Sequence, residues 1–333
     1  MLDPTLLGLL PWLLLILAAE FVNGWTDAPN AIATVVSTRV IRPHHAVLMA
    51  ALLNAAGAFS GTAVAATIGK GIVSADLIDV QTVGAAMMGI VIWSTLAWYW
   101  GLPTSESHGL VAGLAGAGLA TAGPEALEWD GWRKVFIGIG FSSVLGFVTG
   151  LGLMIAILWA CRRSRPAAVR RRFGRLQVLS AGLMAFSHGS NDGQKFMGVF
   201  TLALILGGAL PKPEGNAFPI PVWVIVLCAT VMGIGTAVGG WRIIKTMGLR
   251  LTKLEPVHGF AAETGAGLTI MLAGSMGIPL STTHTISTTI MGVGASRRVS
   301  AVRWGVAGNI VVAWILTFPI CGLIAYVTAL LVR

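Results

Sequence analysis

The sequence predicts an all-α polytopic membrane protein made of two inverted-topology repeats, each with a broken helix and a re-entrant helical hairpin. Three observations lead there: a composition too apolar for water, charges sorted to one side of the apolar runs, and polar motifs that each occur twice. Of 333 residues, 55% are hydrophobic and 11% charged, with a mean hydropathy of +0.82. A water-soluble domain carries about 25% charged residues, whereas runs of about 20 apolar residues span a bilayer. The 43 glycines suit helices that approach closely in lipid, and they show no Gly-X-Y period.

The apolar runs fall at 5–22, 46–69, 82–100, 107–122 and 134–160, then at 176–188, 196–210, 220–241, 260–276, 283–295 and 302–331. Helix is predicted for each, because lipid requires internally satisfied backbone groups and no barrel alternation is visible. The first run lacks a basic leader and a small-residue cleavage site, so it is expected to stay as a first helix. The predicted organisation is a first repeat over 1–160 with its hairpin at about 82–122, a basic linker at 161–175, and a second repeat over 176–333 with its hairpin at about 260–295.

Charge placement orients the chain. The linker 161–175, CRRSRPAAVRRRFGR, holds seven arginines and is predicted to be cytoplasmic. With Arg39, Arg42, Arg242, Lys245, Arg250, Lys253, Arg297, Arg298 and Arg303 the same side collects 16 basic residues, against five opposite (Lys70, Arg133, Lys134, Lys212, Arg333). Asp3, Asp76, Asp79, Glu125, Glu128, Asp130 and Glu214 fall on the side poor in cations, which places both termini outside. The net charge of +9 thus sits in short loops and carries no basic-aromatic motif, which excludes nucleic acid as a partner in favour of the lipid bilayer. Cys161, Cys228 and Cys321 are scattered and form neither a metal spacing nor a disulfide framework. Trp93, Trp98, Trp100, Trp129 and Trp132 are expected at membrane interfaces.

GLPTSESHGLVAGLAGAG at 101–118 aligns without a gap on GIPLSTTHTISTTIMGVG at 277–294, and FVNGWTDAPN at 21–30 on FSHGSNDGQK at 186–195. Two halves with the same motif order and opposite orientation form an inverted repeat, an architecture found chiefly in secondary transporters. Glu20, Asp27, Glu106, Asp192, Lys195 and Glu263 all lie in or at the ends of apolar runs. Each would cost about 2.5–3.5 kcal/mol at a helix centre. Buried pairing or snorkelling could account for Glu20 and Lys195, but Asp27 and Asp192 stand at equivalent positions and point to a shared site. Thr104, Ser105, Glu106 and Ser107, and likewise Ser281, Thr282 and Thr283, follow a proline and open a helix. Such an end presents free N–H groups and a positive dipole, which suits an anion; hydroxyls also serve as plain caps. His108, His284 and His188 are expected to be structural, and Asn54 and Asn309 to join helices.

NGWTDAPNA (23–31), SHGSNDGQK (187–195), GLPTSESH (101–108) and GIPLSTTH (277–284) resemble the inorganic phosphate transporter (Pit) family of low-affinity permeases, and SHGSNDGQK its bacterial branch. The resemblance implies two inverted repeats with re-entrant hairpins, a homodimer, and phosphate held between the Asp/Asn motifs of broken helices and the hairpin hydroxyls. It assigns phosphate to Asp27, Asn30, Asn191 and Asp192 and to Ser105, Ser107, Ser281, Thr282 and Thr283; Thr104 and Lys195, within the same motifs, are added as candidates. Asp27, Glu106, Asp192 and Glu263 become the candidates for the coupled cation; no cofactor and no fixed metal is implied. The expected activity is import of inorganic phosphate, free or as a metal-phosphate complex, across a bacterial plasma membrane by cation symport. Lys195, where the first half has Asn30, and Glu106 within a hydroxyl cluster favour H⁺ over Na⁺ as the coupling ion. Sulfate is a rival substrate, but unlike phosphate it cannot donate a hydrogen bond to a carboxylate. An intramembrane enzyme using His188/Asp192 or Ser105/His108 is disfavoured, since one active site does not need every motif in two inverted copies.

Overall fold

The computed structural model describes residues 4–212 and 218–332. Asp3, Glu214 and Arg333 of the charge count lie outside the described residues. The first half runs α1 (Pro4–Ser37), α2 (Pro43–Ala58), α3 (Ala63–Gly71), α4 (Val80–Trp100), α5 (Glu106–Ala122), α6 (Trp129–Gly140) and α7 (Gly146–Cys161), the last two joined through a π turn at Phe141–Leu145. The second half runs α8 (Pro166–Leu206), α9 (Val222–Val238), α10 (Trp241–Ile244) leading into a π turn at Lys245–Arg250, α11 (Pro256–Ser275), α12 (Thr282–Ala295) and α13 (Trp304–Leu331). Each half therefore spells out a long helix, a bent pair, a helical hairpin and a closing helix. The bends are 71° between α2 and α3 and 60° between α9 and the α10 segment. Among the described residues the extended structure is one isolated bridge, Val73 to Leu127.

Local chemistry sets these boundaries. Proline opens α2, α8 and α11, where its missing N–H costs nothing. Asp79 caps α4 by accepting from the Thr82 amide at 2.8 Å. Gly101 and Gly277, with φ of +70° and +66°, turn each hairpin where a side chain would be strained. Gly239, at φ +72°, ends α9 and makes the second bend.

The breaks differ in place from the expected ones. FVNGWTDAPN and FSHGSNDGQK lie inside the continuous helices α1 and α8, and the two apolar runs 176–188 and 196–210 are one helix. Helix propensity tolerates Asn, Asp and His where tertiary partners satisfy them, so polarity alone did not mark a break. The bent pairs replace those breaks at residues 59–62 and 239–240.

Packing partners exchange between the halves. α1 lies on α9 as α8 lies on α2, α5 lies on α13 as α12 lies on α7, and α1 meets α4 as α8 meets α11. Equivalent glycines mediate these crossings. A Cβ on Gly24 would strike the Met232 backbone and one on Gly235 the Phe21 backbone; in the other half Gly57 faces the Phe186 backbone and Gly189 that of Asn54. Dispersion between closely packed backbones is the main attraction left to helices in lipid.

Among the described residues, four helices are long and apolar enough to cross a membrane, or up to six if each bent pair is one span. α6, the π turn after it, α7 and α13 turn Phe136, Val144, Val148, Ile155, Ile315 and Leu323 outward, an apolar belt suited to lipid. Trp100 and Trp129 are exposed as expected, but Trp93 and Trp132 are buried; Trp93 instead donates to Thr317 at 3.0 Å. Asn309 is exposed, so it joins no helices here. On the loops, Lys212 pairs with Asp76 at 2.7 Å and holds that carboxyl below the usual range.

Candidate functional site

Both hairpin tips stop against the middles of α1 and α8, where the polar motifs are. Asp27 and Asn30 project from α1. Asn30 Nδ2 donates to Thr283 Oγ1 at 2.9 Å and lies 3.3 Å from Thr282 Oγ1, while Thr283 Oγ1 donates to Asp27 Oδ1 at 3.2 Å. From α8, Asp192 Oδ2 accepts from Thr282 Oγ1 at 2.9 Å, and Asp192 Oδ1 accepts from Asn191 Nδ2 at 3.1 Å and from Lys195. The second hairpin thus bridges the two aspartates through adjacent threonines.

Lys195 ties the first hairpin into the same cluster. Its ammonium donates to Asp192, to Ser107 Oγ at 2.5 Å and to the Leu280 carbonyl at 3.3 Å. Three donors meet three acceptors, which is what permits a lysine 1% exposed. Asn191 Nδ2 and Ser107 Oγ also reach the Leu280 carbonyl, at 2.9 and 3.1 Å. Ser105 and Ser281 cap α5 and α12 by accepting from the His108 and His284 amides at 3.3 and 3.1 Å. Each serine keeps its own O–H to donate. Thr104 is buried beside them. Every one of these side chains is 4% exposed or less, so the cluster is closed from both sides.

The acidic residues divide into three settings. Glu106 Oε1 lies 2.7 Å from Thr26 Oγ1 and Oε2 lies 2.7 Å from Ser94 Oγ. Glu263 is apart from the central cluster, held by Thr34 at 2.6 Å, Gln177 at 2.9 Å and Ser180. Glu20 accepts from Asn23 at 3.0 Å. The sequence singles out these acids but not their partners Ser94, Thr34, Gln177 and Ser180, whose signal is only polarity inside an apolar run.

His188 is drawn into the site rather than left structural. Its Nδ1 lies 3.1 Å from Asn54 Oδ1, and Asn54 Nδ2 donates to Thr236 at 3.0 Å. That chain fixes the amide, so Nδ1 carries a proton, and Nε2 faces Asp192 Oδ2 at 3.4 Å. Asp27, His188 and Asp192 offer ligand atoms within 4.8 Å of one another. Asn54 does join helices as expected. His108 and His284 are not bound within their hairpins. They meet edge to face at 4.4 Å, with His284 stacked on Trp314 at 3.6 Å.

Above and below the cluster, each hairpin turn is clasped by the bent pair of the opposite half. Thr67 on α3 donates to the Gly277 carbonyl at 2.8 Å, and Thr246 beyond α10 donates to the Gly101 carbonyl at 2.8 Å. The second clasp carries more. Arg242 donates to the Tyr99 carbonyl and lies over the rings of Trp98 and Tyr99 at 5.1 and 4.6 Å.

The profile of the Phosphate transporter family matches residues 23–325. A probable low-affinity inorganic phosphate transporter of Rhizobium meliloti is 47% identical over 97% of this chain and 95% of its own. That of Bacillus subtilis is 41% identical over 93% of each. Among solved structures, one named the sodium-dependent phosphate transporter superposes with a TM-score of 0.87 over 97% of this chain and 98% of its own, at 24% identity, and so shares the fold.

Proposed function

Because the chain belongs to the phosphate transporter family, a family of transporters and not of enzymes, we propose that this multi-pass membrane protein imports inorganic phosphate by symport with H⁺. The observation that carries the reading is the N-terminus of α12, whose Thr282 and Thr283 hydroxyls bond Asp192 and Asp27, with Ser107 of α5 tied to the same cluster through Lys195. Free N–H groups and hydroxyls at α5 and α12 supply donors for an oxyanion. The carboxylates accept from a protonated phosphate oxygen, which sulfate does not carry. Asn30, Asn191 and Lys195 complete the donor set, with Thr104, Ser105, Ser107, Ser281, Thr282 and Thr283. In the closed state these groups satisfy one another, so phosphate would replace internal hydrogen bonds rather than fill an open cavity.

Coupling to H⁺ rests on Glu106. The Thr26 hydroxyl lies 2.7 Å from Glu106 Oε1 and 2.8 Å from the Val22 carbonyl, yet has one proton to give. A protonated Glu106 donating to Thr26, which then donates to Val22, satisfies all three. Glu263 has a similar arrangement, with Ser180 between it and the Gln177 carbonyl at 3.2 Å. Asp27 and Asp192 serve the substrate and the cation together. A sodium-driven cycle is the second reading, favoured by the name of the solved relative; the ammonium of Lys195 already occupies Asp192 Oδ1, where a sodium ion would need a ligand. Carriage of a metal-phosphate complex would use the Asp27, His188 and Asp192 atoms as its metal ligands.

The helix order and exchanged partners support two inverted repeats, 1–160 and 176–333, with 161–175 cytoplasmic and the termini outside. Alternating exposure would then release the two clasps in turn, in a homodimer whose protomers each hold a complete site. Proteoliposomes under imposed pH or Na⁺ gradients test this with labelled phosphate and sulfate. Phosphate should accumulate under an acid-outside gradient without Na⁺, and sulfate should not. Glu106→Gln should retain phosphate counterflow and lose accumulation driven by the pH gradient; full accumulation in that variant would remove Glu106 from the coupling role.

A further inference from the structure

Outside the central cluster, one concavity gathers charge at the base of the second hairpin. It is lined by Lys253, Arg297, Arg298 and Arg303, with His258, Thr252 and Ser300. Its walls come from three places: the segment after the Lys245–Arg250 π turn, the outer ends of α11 and α12, and the 3-10 turn Val299–Ala301. They are stapled together. Arg303 N donates to the Leu251 carbonyl at 3.0 Å, Thr252 Oγ1 to the Ala301 carbonyl at 3.1 Å, and Val302 packs on Gly294.

His258, itself 3% exposed, adds a directed donor. Its Nδ1 accepts from the Glu255 amide at 3.0 Å, so the neutral ring carries its proton on Nε2. The nearest carboxylate, Glu255, lies 4.0 Å from Arg297 and leaves the group strongly cationic. Four cations from three separate segments line this one walled hollow. The equivalent positions of the first half carry none of these cations, so the fold does not demand them. The repeat offset puts Thr121 and Ala122 at Arg297 and Arg298, and Thr82 at His258. Thr82 and Thr121 meet there at 2.9 Å, and the charge beside them is the Asp79 carboxylate, 2.7 Å from the Thr82 hydroxyl.

We propose that this pocket binds a phosphate-bearing anion that braces the base of the second hairpin against the start of α13. Trp304, half exposed and donating to the Val299 carbonyl at 2.9 Å, marks the level at which α13 enters lipid. Basic pockets at that level on the cytoplasmic side suit anionic headgroups. Free phosphate delivered to the cytoplasm offers the same chemistry and would report the product concentration to the hairpin, an alternative that rests on the transport reading above.

Native mass spectrometry of the purified full chain, with phosphatidylglycerol or cardiolipin against phosphatidylcholine, tests the pocket. Wild type should retain one anionic lipid that an Arg297→Gln/Arg298→Gln/Arg303→Gln variant holds at least about tenfold more weakly. Ser300→Asp, a single exposed change that leaves the staples intact, should lose the same lipid. Displacement of that lipid by millimolar phosphate would identify the free ion as a competing occupant. Retention unaffected by phosphate would identify the headgroup. Equal binding of lipid and of phosphate by wild type and both variants overturns the proposal, whatever the uptake assays give.

Discussion

Lys195→Met is expected to lower phosphate uptake by about two to three orders of magnitude and to reduce the melting temperature of the solubilised protein. The ammonium is buried and meets Asp192, Ser107 and the Leu280 carbonyl. Removing it leaves the Asp192 carboxylate without its counter-ion. Breaking a buried pair by deleting one partner costs about 3–5 kcal/mol, and each 1.36 kcal/mol is about tenfold. It also unties the first hairpin from the second, because Ser107 and Leu280 belong to opposite tips. The double variant Lys195→Met/Asp192→Asn separates the two effects. The uncharged amide introduced on α8 still accepts from Thr282, so melting should recover towards wild type while uptake stays low. Wild-type uptake in Lys195→Met would show that the lysine is a bystander.

Gly189→Ala should be among the damaging small substitutions at the helix crossings. An added Cβ would collide with the Asn54 backbone, and backbone cannot yield as a side-chain end can. Overpacking commonly costs about 1–3 kcal/mol and more where nothing can move. α2 would be pushed from α8, and the hydrogen bond from His188 to Asn54, which aims the imidazole at Asp192, would be lost with it. Gly235→Ala should behave likewise at the matching α1–α9 crossing. Gly152→Ala, with nothing within 4 Å of the new carbon, is the control and should stay within about 1 kcal/mol. Yield of monodisperse protein and its thermal midpoint are the measurements. If Gly189→Ala melts with Gly152→Ala, the close crossing is not needed.

Much of the architecture was legible in the sequence because it was written twice. Asp27 and Asp192 are distant in the chain, and their equivalent places in the repeat suggested that they meet. The hairpins were readable from Pro-hydroxyl openings and small-residue helices, and they lie within a few residues of the expected limits. The bends were less visible. FSGT at 59–62 and Gly239–Gly240 carry ordinary turn chemistry, whereas the dense polarity at 21–30 and 186–195 looked like a break and is helix. Polarity records what a residue needs from its neighbours, not whether its own backbone has turned. Unique partners were harder still. The site of Glu263 has no copy in the first half, where Met87 occupies the equivalent position by the hairpin offset, so neither Gln177 nor Ser180 had a twin to announce it. The same limit hid the role of His188, whose counterpart is Asn23.

The two threonine clasps occupy equivalent places in the halves, but a carrier built on them has unequal doors. Freeing the Gly277 turn breaks one hydrogen bond to Thr67. Freeing the Gly101 turn breaks one to Thr246, another to Arg242, and lifts a guanidinium from two rings. A hydrogen bond contributes about 1 kcal/mol and an exposed cation–π contact about 0.5–1 kcal/mol. The difference approaches about 2 kcal/mol, or roughly 30-fold in population. In the proposed orientation the weaker door would face outward, and of the two openings the outward one would be the more populated.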